Sequence, residues 1–378
     1  EWGDFLSHYE YDKVPNWQKN DYARVSLNYS DGINTGRIYY RTDNKDSDSG
    51  WDHNQYDSKS IGVTFNRKQE LFNVPFVYGF DWQKQNGRTY DVNASKLNYD
   101  KDRSGIAPYV EASIPLGQAN LGLGLRYESW NVDDADNVSE FIPRLSLNWE
   151  SPKGKLLYLT AGRYYMMPTL SQILYEGWGA IQSPNLKPEQ GWTYDIGIKD
   201  EKAKNPWKLG AFYMDMEDKI IWNTDSWMGE AAYINVAEYK AWGFEGQYKF
   251  NINDNWSFTP GFAYTYAEEK ADSSADWVRS STPRMDISAF LNYKQDKWRA
   301  ELAAHYYGDR VVDKKSTGKF ANDDEDIFLV NATVAWDVFE NQTLRLTCTN
   351  IFDKEFIISS SGYINPERKI IASWECKF

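Results

Sequence analysis

Residues able to make or break bonds are scarce in this sequence. Two cysteines, Cys348 and Cys376, and three histidines are all the thiols and imidazoles it has. That is too few for a disulfide scaffold, and the spacing is wrong for a zinc site. No serine or cysteine is grouped with a histidine and a carboxylate in triad fashion, and no glycine-rich stretch has the spacing of a phosphate loop. The chain therefore reads as no enzyme, with no metal or cofactor required. What its polar stretches offer instead is ring faces and charge. Trp51 and His53 stand in "SGWDHNQYD", Trp222 and Trp227 in "IWNTDSWMG", and Arg310, Lys314 and Lys315 in "DRVVDKKSTGK". Rings stack on flat ligands and cations complement anions, so these groups can bind without reacting. The acidic runs "DNKDSDSGWDHNQYD", "NVDDADN" and "ANDDEDIF" lack the spacing of a calcium loop and read as solvated surface.

Composition narrows the class. The net charge of -13 argues against nucleic acid, whose phosphates need a basic surface. No run of 18 apolar residues exists, so no helix is long and apolar enough to cross a membrane. Yet aromatics make up 16% of the chain, with 17 Trp and 27 Tyr, beside 26% charged residues. Such a mixture fits residues divided between two surfaces, one greasy and one wet.

The elements that would carry this division are strands. In "ANLGLGLRYESW", Leu121, Leu123, Leu125 and Tyr127 alternate with Gly122, Gly124, Arg126 and Glu128. Trp256, Phe258, Phe262, Tyr264 and Tyr266 alternate with polar or small residues in the same way. Period two marks half-buried strands. About 17 recur along the chain, with part of one more in residues 1–18. Short turns near 30–32, 115–118, 151–154, 253–255 and 340–342 take turns with long polar loops. Those loops are expected near 43–58, 86–104, 129–139, 166–190, 222–232, 269–279, 311–326 and 356–367. An up-and-down meander this large must close, because open edges would be unpaired. A barrel of about 18 strands is too wide for side chains to fill, so its greasy face points outward into lipid. The expected fold is all-β: one domain over 1–378, a transmembrane antiparallel up-and-down β-barrel of about 17–18 strands in the outer membrane.

Alternation also assigns faces. Arg126, Glu128, Arg144, Glu245, Lys249 and Arg299 fall on the lumen side. His305 lies with Glu301 and Arg299, as wall rather than ligand. Met214 and Met216, whose thioethers could bind copper, share a face with Phe212, and lipid contact is the expected role. Cys348 and Cys376 fall on the lipid face of the last two strands, and a cross-strand disulfide stays open because register is not readable from sequence.

Several phrases add a family resemblance over roughly residues 140–378. "GRYYMMPTLSQILYEG" followed by "SPNLKPEQGWTYDIGIK" resembles the Pro-Thr-Leu to Asn-Leu-Lys-Pro-Glu segment of TonB-dependent receptors. "FYMDMEDKI", "INVAEYKAWGFEGQYKF", "STPRMDISAFLNYK" and "LRLTCTNIFDKEF" then follow in the family's order. The resemblance implies the C-terminal part of a 22-stranded barrel. The family's plug domain and TonB-contacting box have no counterpart in these residues, so the plug is expected as a missing segment or a separate chain. Implied partners are outer-membrane lipid and lipopolysaccharide, the plug, the TonB complex through it, and an iron chelate. The terminal strand, ending on Phe378, looks like the signal read by barrel-assembly machinery. The implied function is import of a scarce metal chelate, a ferric siderophore first, then haem or cobalamin. A passive 18-stranded porin for small polar solutes is the alternative. Ligand contacts are then expected from Arg163, Tyr165, Trp178 and Lys187 in or beside 166–190, with Trp51, His53, Trp222, Trp227 and Arg310 from other loops. Pro168, Pro184, Asn185 and Pro188 read equally well as residues that shape a rigid loop.

Overall fold

A strand with one greasy and one wet face is stable only if its backbone is paired along both edges. The computed structural model meets this condition for every long strand except the first and the last, in one continuous antiparallel sheet. It describes residues 17–377 apart from 49, 51–52, 177–178, 224–227, 236–237, 271–274, 281, 311–325 and 357–366. In chain order come β1 (Trp17–Ser30), β2 (Asn34–Asp48), β3 (His53–Leu71), β4 (Val74–Asp91) and β5 (Lys96–Leu116). Next are β6 (Ala119–Val132), β7 (Val138–Glu150), β8 (Leu156–Met166), the single-turn α1 (Leu170–Leu174), β9 (Glu189–Asp200) and β10 (Trp207–Glu217). A separate hairpin, β11 (Ile220–Trp222) with β12 (Tyr233–Asn235), precedes β13 (Glu238–Tyr248), the short β14 (Phe250–Asn251) and β15 (Trp256–Lys270). The chain ends with the short β16 (Val278–Arg279), then β17 (Met285–Gln295), β18 (Trp298–Gly308), β19 (Ile327–Phe339), β20 (Gln342–Thr349) and β21 (Lys369–Cys376). Setting aside the two-residue β14 and β16, each long strand pairs with its sequence neighbours in the sheet.

The wall's outer face carries two bands of rings. Near the short-turn end, Trp298 stacks on Trp336 at 5.4 Å and Trp256 meets Tyr293 at 4.7 Å. Toward the other end lie Trp242 with Tyr266 at 5.8 Å, Tyr194 with Tyr213 at 6.2 Å, and Tyr127 with Phe141 at 4.8 Å. Leu125, Phe262, Leu302 and Val334 lie exposed on the same outer face. Trp256 and Tyr266 are on one strand, separated by ten steps of roughly 3.3 Å. At a tilt of ~40° that is about 25 Å of height, the thickness of the apolar band of an outer-membrane barrel. The rings mark the two membrane interfaces.

Strand direction constrains closure. Among the described residues the long strands of the sheet number seventeen once β14 and β16 are set aside, so β1 and β21 both run toward the short-turn end. Laid side by side they would pair in parallel, unlike every other pairing in the sheet. Among the described residues no pairing joins them, and both are exposed along nearly their whole length.

Two expectations need correction, and the open disulfide question is answered. The stretches 43–58 and 86–104 are mostly strand: β2 and β3 are separated only by 49–52, and β4 and β5 only by 92–95. Polar composition had suggested loops, but Thr, Asn and charged residues there keep a continuous cross-strand register. At roughly 3.3 Å per residue, the 21-residue β5 is about 70 Å long and stands far above the membrane. The methionines also face the other way. Register sets Tyr213 opposite Tyr194 and Trp242 on the lipid face, which turns Phe212, Met214 and Met216 toward the lumen, where Met216 is buried. Finally, Cys348 lies opposite Ile370 and Cys376 opposite Gln342, so the thiols sit at opposite ends of the β20–β21 pair and both are free. Six residues of separation is about 20 Å, beyond any disulfide.

The first short turn is held by a carboxylate. Asp31 accepts from the backbone N–H of Ile33 at 2.9 Å and of Asn34 at 2.6 Å, and from the Asn34 amide at 2.8 Å. These donors, the Asn34 backbone foremost, hold its carboxyl well below the usual range. A depressed carboxylate stabilises the fold above its ordinary pKa, and that contribution fades as pH falls through and below it. Asp31→Asn is therefore expected to loosen the turn at neutral pH, with the difference from wild type shrinking below about pH 4; amide exchange at residues 30–35 measures it. A second expectation concerns the outer face. Leu125→Arg, in the lipid band, should cost about 2–4 kcal/mol of folding stability in bilayers. Glu111→Gln, on the lumen face, should change little; equilibrium urea unfolding in lipid vesicles compares the two.

Candidate functional site

At the end carrying the longer connections, the segment 167–188 between β8 and β9 turns in over the lumen side of the wall. Its local start is written in the sequence. Thr169 Oγ1 accepts from Gln172 N at 3.1 Å, and Gln172 Oε1 accepts from Thr169 N at 2.8 Å, a reciprocal cap for α1. One helical turn cannot hold itself, so packing must. Leu170, Ile173 and Leu174 are buried against Tyr99, Val132, Leu186 and Ile220. Register places Arg103 opposite Val132, on the same lumen face as Tyr99. Gly87 on β4 admits the helix closely: a Cβ built there would stand 3.2 Å from Leu170 Cδ1. Pro168 is fully buried, and its carbonyl accepts from Arg103 Nη1.

Beneath this contact runs a polar network down the wall. Arg103 Nε donates to Gln85 Oε1 at 2.6 Å, and its guanidinium lies 5.1 Å from the Trp130 ring. Trp130 Nε1 donates to Glu128 Oε2 at 2.9 Å. Arg126 bridges Glu128 and Asp81, each at 2.6 Å. Charge-assisted bonds of this kind are short and mutually reinforcing where water is partly excluded.

A second connection, 218–237, is braced against the first. Ile181 bridges Ala231 in parallel fashion: its N–H donates to Glu230 O and its carbonyl accepts from Ala232 N, both at 2.9 Å. Tyr233 N donates to Ser183 Oγ at 2.9 Å. The Asn235 side chain accepts from Lys187 N and donates to Lys187 O, each at 3.0 Å. Buried Glu189 accepts from Ile220 N at 2.9 Å. The Asn-Leu-Lys-Pro-Glu stretch is thus a fold element, with Leu186 in the core and the Lys187 backbone clamped. Held on this frame, Tyr175, Trp222 and Tyr233 form an edge-to-face trio, with Trp222 5.2 Å from each tyrosine and the tyrosines 6.4 Å apart. Trp222 keeps 42% of its surface exposed. Burial pushes the Tyr233 phenol above its ordinary pKa, so it stays neutral.

Other expected ligand residues are placed variously. Lys187 is exposed beside the trio's frame, its Nζ 3.8 Å from Asp218. Arg163 is engaged by Glu140, and by Gln190 at 2.7 Å. Tyr165 donates to Met167 Sδ at 3.6 Å. Both belong to the wall under the loop. His53 is at the tall β2–β3 hairpin, 2.8 Å from Asp46 and edge-on to Trp17. Arg310 is buried at the outer end of β18. Trp51, Trp178, Trp227, Lys314 and Lys315 lie outside the described residues. His305 is wall, its ring against Phe290 and Tyr307. Sequence reasoning named Trp222 but gave no binding role to Tyr175, inside the quoted Pro-Thr-Leu segment, nor to Tyr233, Arg103 and Trp130. Opposed lumen-face charges, such as Asp81 with Arg126, were the only available signal.

Leu174→Ala tests whether packing holds the loop. Truncating a wholly buried leucine costs about 2–5 kcal/mol. Because Leu174 is at the centre of the loop's buried cluster, 167–188 should become more protease-sensitive while the strands stay protected in hydrogen exchange.

The TonB dependent receptor-like β-barrel family model matches residues 3–351. The vitamin B12 transporter BtuB of Vibrio vulnificus (strain YJ016) is 23% identical over 321 residues, 79% of this chain and 47% of that protein. The chain spans about half the length of this relative. Among solved structures, the copper transporter OprC superposes with a TM-score of 0.74 at 15% identity, covering 96% of this chain and 66% of that one. The siderophore receptor PirA from Pseudomonas aeruginosa gives 0.69 at 17%, covering 96% and 63%. Those names describe transporters and receptors of three different cargoes, and none describes an enzyme. The meander, the paired aromatic bands and the family match agree: this chain belongs to the β-barrel family of TonB-dependent outer-membrane receptors.

Proposed function

We propose that the chain forms the barrel of a receptor that captures a scarce metal chelate outside the cell and imports it. A ferric siderophore is the preferred cargo, with haem and cobalamin next. The observation that carries this reading is the aromatic trio on two cross-braced loops above a polar lumen. Three rings at mutual right angles give a flat or aromatic ligand both faces and edges to contact. Exposed Lys187 supplies positive charge for an anionic chelate. Haem ranks lower because its iron takes an axial side chain. Of the described histidines, His53 is engaged by Asp46 and His305 lies within the wall. In this reading a plug domain and the TonB complex relay energy for import, and lipopolysaccharide surrounds the outer rings.

The test is ligand binding by the native protein in outer-membrane vesicles. Ferric catecholate, ferric hydroxamate, haemin and cyanocobalamin would be titrated against intrinsic tryptophan fluorescence. One siderophore class is expected to bind tightest, and Trp222→Ala should weaken it about tenfold, as loss of one good ring contact does. Binding of none of the four, together with free liposome swelling by small sugars, would favour the passive porin instead.

A further inference from the structure

The outer face of the wall is hollowed on one flank. Leu209, Gly246, Phe262 and Ile287 lie directly opposite one another in turn across β10, β13, β15 and β17. Phe262 is on the outer face, so the whole row is. Gly246 is the gap in that row. A Cβ built there would stand 2.6 Å from Phe262 Cε1 and 2.8 Å from Leu209 Cδ2. Both side chains therefore lean over the glycine instead of standing out from the wall. With Pro260 and Ile287 they line a trough of about 600 Å³, well within the size range of ligand sites. Trp207 lines its foot; it opens β10, and so sits at the short-turn end. Over that ring, 5.8 Å from its centroid, lies Lys155 Nζ. Other lysines at this end are matched, Lys199 by Glu201 at 2.8 Å and Lys202 by Glu150 at 2.6 Å. Among the described residues no carboxylate pairs with Lys155.

We propose that the trough and Lys155 together form a binding site for one anionic phospholipid, with an acyl chain in the trough and the phosphate at the lysine. Depth selects this occupant. The trough lies between the two aromatic bands, where only hydrocarbon covers the wall. Its foot lies at the band near the short turns, the periplasmic side, where the leaflet is phospholipid. Trp rings sit at headgroup level, and a lysine stem laid along such a ring keeps its ammonium in the polar layer. A lipid anchored there by its phosphate sends its chain past Trp207 to reach Leu209 and Gly246 two residues further along, about 7 Å away. An unpaired cation at the foot favours a headgroup with net negative charge over a zwitterionic one. The inference rests on the outer face of the barrel and is independent of the cargo carried inside it.

The experiment titrates the native protein, purified from outer membranes in detergent micelles, with phosphatidylglycerol and separately with phosphatidylethanolamine. Lipid-bound masses are read by native mass spectrometry. The first phosphatidylglycerol is expected to bind about fivefold tighter than the first phosphatidylethanolamine, the effect of one interfacial lysine on an anionic lipid. Lys155→Gln should remove that preference and leave phosphatidylethanolamine unchanged. Pro260→Trp, which fills the trough, should weaken both lipids about tenfold, while Leu302→Trp, elsewhere on the outer face, should weaken neither. Ile287→Trp serves in its place if Pro260→Trp fails to fold, judged by heat-modifiable migration on gels. A headgroup preference that is absent, or that survives Lys155→Gln, overturns the proposal, as does lipid retention indifferent to both trough-filling variants. Two further results also overturn it. Tighter binding of purified lipid A would assign the trough to the other leaflet, and masses of paired receptors lost on Pro260→Trp would make it a face between copies.

Discussion

A backbone amide or carbonyl in hydrocarbon has no water to turn to, so it must be paired within the protein. Almost everything in this molecule follows from that one demand. It forces the strands into an unbroken ladder, and the ladder fixes which side chains share a face. Because neighbours alternate between lipid and lumen, each strand carries two messages in one line of sequence. Outward go leucines and rings; inward go arginines, carboxylates and small residues. The bands of Trp and Tyr then set the depth at which the wall stops being greasy, and hence where polar strand and loop can begin.

Segments that leave the ladder lose its pairing and must find substitutes. The loop after β8 shows how. Thr169 and Gln172 satisfy a helix start, Asn235 serves both backbone groups of Lys187, and Glu189 receives the amide of Ile220. Each substitute ties the loop to the wall or to its neighbour, so meeting backbone demand also makes the mouth rigid. The aromatic trio inherits that rigidity, which limits the ordering cost a ligand meets there. Arg103 joins the two levels, with its side chain shared between the loop's Pro168 carbonyl and the network of the wall.

How much of this was legible in the sequence depends on the range of the interaction. Period two is local and was plain in "ANLGLGLRYESW"; strand number, strand order and the two-faced wall followed from it. Register is not local. Whether Met214 met lipid or lumen turned on which tyrosine lay across from Tyr213, and the cysteines were separated by six residues of slide that no composition could show. The polar runs 43–58 and 86–104 misled for another reason. Polarity normally marks a loop, but above a membrane both faces of a strand are wet, so polar residues say nothing against pairing. The site was half legible. Trp222 was legible as a loop ring and the resemblance pointed to 166–190, where Tyr175 lies, but most residues there serve structure first, and nothing in the sequence set Tyr233 beside those two rings.

The tall hairpins built by β2 to β5 set how the molecule can vary in its surroundings. Up to Asp48 and from His53, and again up to Asp91 and from Lys96, its outward reach on that side is a paired ribbon, so what approaches from outside meets a paired surface. A loop can escape recognition by insertion or deletion. A ribbon cannot, because one added residue flips every later side chain to the other face. Variation under such pressure is confined to same-length exchanges among residues that tolerate extended backbone, with length changes allowed only at the tips, 49–52 and 92–95. On this flank the protein would diversify by substitution while its height stays constant.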